Sequence, residues 1–127
     1  MADVAMVVDT GLAKVTNLLA AVSTVCPGWV GWGIGTTAPV VGNTGLETPS
    51  AEARTVGTKT QQTTTTANDT FQVVALITAL SAQAITEVGV FDALTAGTLF
   101  LRATFSPINV SIGDTVTFTA RTVFNQA

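Results

Sequence analysis

The chain has 127 residues, 47% of them apolar and only 10% charged, with a net charge of −3. That length supports one domain with a real core, and five scattered cations cannot build the basic footprint of a nucleic-acid binder. The absence of histidine removes His-based triads, imidazole general bases and the usual zinc sites.

The N-terminal stretch from Val4 to Val25 is apolar, but Asp9, Lys14 and Asn17 interrupt it. No run of about 18 uncharged apolar residues exists, so no membrane span is expected. Asp3 stands where a signal peptide wants positive charge. The chain is therefore expected to be made and used in the cytoplasm, or in a particle assembled there. Within this stretch the spacing predicts a helix over 8–25. Val8, Leu12, Val15, Leu19 and Val22 follow steps of three and four and share one face. Asp9 or Thr10 can cap its start, and Pro27 with Gly28 stops it. Two readings stay open: a helix packed on its own domain, or a helix or arm docked on a neighbouring subunit. The second makes those five residues a candidate interface. The single cysteine, Cys26, cannot form a disulfide within the chain and reads as a small buried hydrophobe.

From Trp29 to Gly35 the pattern is a short strand with Val30, Trp32 and Ile34 on one face. Gly31, Gly33 and Gly35 leave the other face bare, so a backbone or side chain can approach closely. Trp29 and Trp32 read as packing residues and join the candidate interface. Thr36 to Thr48 is a loop, and residues 53–67, rich in threonine, suit an exposed strand. Asn68-Asp69 turns the chain. Phe71 to Thr78 is apolar on both faces, as for a strand covered on both sides. Ile85 to Phe105 reads as a hairpin turning at Thr95-Ala96-Gly97, and Pro107 should interrupt its ladder because it lacks an N–H. After Gly113-Asp114, the residues Val116, Phe118 and Ala120 alternate with polar ones.

Five or six successive strands without an intervening helix predict a mainly β chain. The expected architecture is an antiparallel β-sandwich or jelly-roll-like domain over 28–127, with an N-terminal α-helix or arm over 1–27. Glu87 lies in an apolar strand and needs a partner if it faces inward. Arg102, on the next strand of the hairpin, is the candidate for a structural ion pair. Asp69, Asp92 and Asp114 sit beside turns, where a short carboxylate bonds local backbone. Neither a phosphate loop nor a dinucleotide fingerprint fits the context of Gly31, Gly33 and Gly35. No catalytic residue, metal site or cofactor is expected. The low charge suits a surface that partners bury, so the chain reads as a subunit of something larger.

Four runs carry a resemblance: WGIGTTAPVVGNTGLETPSAEART (Trp32 to Thr55), NDTFQVVALITA (Asn68 to Ala79), ITEVGVFDALTAGTLFLRATF (Ile85 to Phe105) and INVSIGDTVTFT (Ile108 to Thr119). Together they resemble small structural proteins of tailed bacteriophages, described as tail-fibre-like or as capsid decoration (cement) proteins. The resemblance implies a virion surface protein without catalytic residues, made in the host cytoplasm. Its implied partners are the major capsid protein and further copies of itself, a trimer being favoured, with neither nucleic acid nor membrane. Its implied action is to sit across capsid-subunit contacts and stabilise the head. The alternative is a tail or tail-fibre component acting as adaptor or receptor-binding module; the lack of a repetitive shaft favours the head.

Overall fold

The computed structural model describes residues 4–125. Residues 1–3, including Asp3, and 126–127 lie outside the described residues. The elements in chain order are β1 (Val4–Val7), α1 (Asp9–Leu19), β2 (Trp29–Gly33), β3 (Thr55–Val56), β4 (Thr58–Gln62), β5 (Thr70–Thr78), β6 (Gln83–Phe91), β7 (Leu99–Val110) and β8 (Thr115–Val123). They form two sheets, one ordered β1-β7-β6-β2-β3 and the other β4-β5-β8. Every pairing is antiparallel. The fold is mainly β and sandwich-like, with one short N-terminal helix. Its core is made by the inward rows of both sheets: Val30 and Trp32 of β2, Val88 and Val90 of β6 and Leu101 of β7 face Val73, Ala75 and Ile77 of β5.

The expected 8–25 helix starts where its spacing predicts but ends early, and a strand precedes it. Val4–Val7 is extended and pairs with β7, with Ala5 opposite Ala103 and Val7 opposite Leu101. The helix starts after Val8, which makes no side-chain cap. Thr10 donates its hydroxyl to Leu99 O at 2.8 Å, so it ties the first turn to β7 instead of capping it. The helix stops six residues before the predicted end. Val22 N–H bonds Asn17 O, Ala21 N–H bonds Leu18 O, and Ala21 takes a φ of 57°. This is a Schellman termination with alanine in the left-handed position that glycine usually fills. The missing glycine hid the stop. Ala21→Gly is expected to stabilise the protein by about 0.5–1 kcal/mol, because left-handed backbone costs a Cβ-bearing residue roughly 1–2 kcal/mol and the gain in chain freedom offsets part of that. Thermal melts of the two proteins check it.

Helix orientation differs too. The inward side of α1 carries Gly11 and Lys14, while Leu12 and Leu19 face out. Gly11 lies against the Phe100 backbone, where a Cβ would collide. Lys14 Nζ reaches Asp92 Oδ2 at 2.9 Å and also donates to Ser23 Oγ. Burial raises the Asp92 carboxyl, but the Thr98 N–H and the Lys14 ammonium outweigh it and leave it below its ordinary value.

One strand expectation also needs correction, and another holds. The face of β5 opposite the core is less covered than expected: Leu76 is exposed and Val74 half-buried, because no described element packs over the outer side of the three-stranded sheet. Pro107 interrupts the β6–β7 ladder as its missing N–H predicts, although β7 itself continues to Val110. Ile85 faces Ile108 whereas Glu87 faces Thr104, so the ladder shifts register there and the bulged stretch of β7 contains Pro107. A bulge tolerates a residue with no N–H to give.

Candidate functional site

The outer face of the five-stranded sheet is nearly free of side chains along β2 and part of β6. Gly31 lies opposite Gly89, and Gly33 opposite Glu87. The loop that follows β2 folds back over this bare strip. A Cβ on Gly33 would run into Thr48 O and the Glu87 carboxylate, and one on Gly35 into Glu87 and Glu47. Glycine is therefore required at both positions for the loop and the Glu87 carboxylate to come this close.

Glu87 is completely buried and all its bonds are internal. Its Oε2 accepts Gly35 N–H and Thr48 N–H, each at 2.8 Å. Its Oε1 accepts Glu47 N–H at 2.9 Å and Arg102 Nε at 2.9 Å. One carboxylate thus meets three backbone amides and a guanidinium. Beside it, Thr86 donates its hydroxyl to Gly35 O at 2.7 Å. Arg102 is also buried, and its Nη1 contacts Asn43 Oδ1 at 3.3 Å. Its Nη2 is buried with no protein partner among the described residues. Glu47 extends the clamp: its Oε1 accepts the N–H groups of Thr36 and Thr37. Hydrogen bonds from the Thr37 hydroxyl and backbone, with the Thr36 N–H, hold the Glu47 carboxyl below its ordinary value. The structure therefore brings Glu87 and Arg102 together, and it adds the loop amides that the strand pattern did not reveal. Their only sequence signal was the glycine-bare face.

A second clamp involves Trp32 and Glu52. Trp32 Nε1 donates to Glu52 Oε1 at 2.9 Å, while Glu52 Oε2 accepts Leu80 N–H and Gln83 Nε2. Nearby, the Arg54 guanidinium stacks 3.4 Å from the Phe91 ring centroid and its Nη1 donates to Ala93 O and Ala96 O. Neither Glu52 nor Arg54 was legible as a partner, since both lie in a loop whose path depends on the whole fold. At the turns, Asp69 accepts the N–H groups of Thr64, Thr65 and Thr66, Asp92 that of Thr98, and Asp114 that of Ser111. Among the described residues no group of three or more Cys, Asp or Glu side chains gathers as a metal site would need. No helix there is long and apolar enough to cross a membrane.

The candidate interface residues separate into two groups. Val8 and Trp32 are 0% and 2% exposed and belong to the chain's own core, so neither can meet a partner. Trp29 is half-buried against the cluster of Val8, Phe91 and Leu99. Val15 is half-buried and packs on the main core. Leu12, Leu19 and Val22 are 58%, 83% and 75% exposed. Helix rotation explains the split, since the Lys14–Asp92 bridge and the Gly11 approach turn the predicted stripe partly outward. Next to the exposed leucine lies a groove of about 190 Å³, lined wholly by apolar groups that include Val15, Leu18, Cys26, Pro27, Phe71 and Phe124. Cys26 is half-buried at its edge. No family model, curated protein or solved structure matches the chain.

Proposed function

We propose that the chain is a non-enzymatic virion structural protein, a capsid decoration protein that binds across contacts between capsid subunits, as a homo-oligomer with a trimer favoured. The observation that carries this reading is the exposed apolar patch of Leu12, Leu19 and Val22 beside the α1 groove. Leu12 and Leu19, seven residues apart, share a face of α1, and Leu19 lines the apolar groove, an arrangement that suits a contact site. It sits on a chain with few charges to desolvate. The family resemblance of the four runs named above points the same way. The titratable groups also support it: the most buried carboxylate, Glu87, is fully engaged in holding a loop and meets no open cavity as a free acid or base. The action is thermodynamic. A protein that binds the assembled shell and not its separated subunits stabilises the shell by mass action.

The test is to mix the purified protein with bare expanded heads of the phage that encodes it and pellet them. Wild type is expected in the pellet at a copy number that scales with the shell lattice. Leu19→Ser/Val22→Ser is expected to melt within about 1 kcal/mol of wild type, because both side chains are solvated, and to bind at least tenfold more weakly. Wild type left in the supernatant would overturn the reading. Undiminished binding by the double variant would remove the α1 patch as the contact.

A further inference from the structure

The sandwich is incomplete on one side. One sheet has five strands and the other three. The strand missing from the smaller sheet is the one beyond β8, over β1 and β7. Residues that face inward there are only partly covered: Ala103, Phe105, Val116, Phe118 and Ala120 are half-buried, and Ala5 is exposed. Between Ala5 on β1 and Thr119 to Arg121 on β8 opens a cavity of about 250 Å³ that reaches the core residues Val88 and Val90.

Among the described residues the backbone along this opening has no strand partner. Ala79 N–H bonds Asp114 O and Phe124 N–H bonds Asp69 O, which fixes the parity of the β5–β8 ladder. Even-numbered residues of β8 bond β5. By antiparallel geometry, Thr115, Thr117, Thr119, Arg121 and Val123 then direct their N–H and C=O groups away from β5. Edge strands are ordinarily blunted by proline, bulges or several charges. Over its nine residues β8 has no proline and one charge, Arg121.

We infer that the free edge of β8 and the adjoining cavity accept an extended arm of another protein chain as a fourth strand of the small sheet. The inference rests on the decoration reading and names the arm's source as a capsid subunit. Three features define the occupant. The unpaired amides and carbonyls require a strand. The apolar cavity takes small aliphatic side chains at alternate positions. Arg121 is the one charge on β8; its Nε donates to Gln72 Oε1 of β5 at 2.7 Å, and its remaining positive charge disfavours a basic residue at the neighbouring position of the added strand. Its course is also set: β8 ends at Val123, and Phe124, the next residue, lines the α1 groove assigned above to the shell.

Thr119→Pro tests this. Its N–H is not used by β5, so the ladder within the chain keeps its bonds, whereas an added strand loses one and meets the ring. The variant is expected to keep the circular dichroism of wild type and to pellet with expanded heads at least tenfold less. In parallel, the peptide 115–123 of wild type is expected to exchange its amide hydrogens at least tenfold more slowly when head-bound than when free. Head binding with unchanged exchange in 115–123 overturns the inference and leaves the decoration reading intact, whether or not Thr119→Pro folds. Wild type that fails to pellet overturns both.

Discussion

Glu87→Ala is expected to destabilise the protein by about 3–5 kcal/mol, the range for breaking a buried ion pair by removing one partner. The loss has two parts. Arg102, buried beside it, keeps its charge with only the Asn43 contact and the attraction of the Glu47 carboxylate to offset it. The amides of Gly35, Glu47 and Thr48 lose their acceptor at the same time. Urea unfolding gives the size of the effect, and a midpoint shift corresponding to under about 1 kcal/mol would show that the loop does not depend on this carboxylate. The double variant Glu87→Leu/Arg102→Met separates the two parts. Replacing a buried pair by apolar residues is often neutral, so recovery of wild-type stability would assign the whole effect to the charge. The expected result is incomplete recovery, because the three amides remain unpaired in the double variant and each buried orphan costs about 1–3 kcal/mol.

Trp32→Ala is expected to cost about 3–5 kcal/mol, as for other large core truncations. The indole is buried between the sheets, 6.2 Å centroid to centroid from Phe118 in an edge-on arrangement. Phe118 in turn stacks at 6.0 Å against Phe105, so the cavity left behind would open beneath two further rings. Trp32→Phe keeps a ring against Phe118 but removes the donor to Glu52. It is expected to cost about 1–2 kcal/mol, since Glu52 retains Leu80 N–H and Gln83. Equal losses in the two variants would mean that the hydrogen bond, and not the packing, is the main contribution of this residue.

The strands were legible where side chains alternate against one buried face. Val88 and Val90, then Leu101 and Ala103, stand opposite each other in the β6–β7 hairpin that their spacing predicts. The class of the fold followed from such runs. Helix α1 was harder, because its apolar residues recur on more than one face, and the face that packs was decided by a lysine bridge and a glycine, neither of which hydrophobic spacing counts. Its end was hidden by an alanine doing what glycine usually does. β1 was missed because four residues carry too little periodicity. The sequence reads β5 as covered on both faces, since Val74 and Leu76 are as apolar as Val73 and Ile77; what it does not reveal is that no described layer packs over the outer side of this sheet, which leaves Val74 half-buried and Leu76 exposed. The Glu87–Arg102 pairing could be proposed from hairpin geometry, but the converging amides come from a loop more than 35 residues earlier in the chain. Long-range loop paths leave almost no trace in local pattern.

The strap that Glu87 sews to the sheet has a kinetic corollary. A long, glycine-containing surface segment is ordinarily where proteases nick a domain first. Here the segment's anchorage is shared among Gly35, Glu47, Thr48 and a carboxylate inside the β6 strand, so its base cannot peel away without exposing that charge. Cleavage near the base then waits on opening of the whole sandwich, and its rate reports global unfolding rather than local fraying.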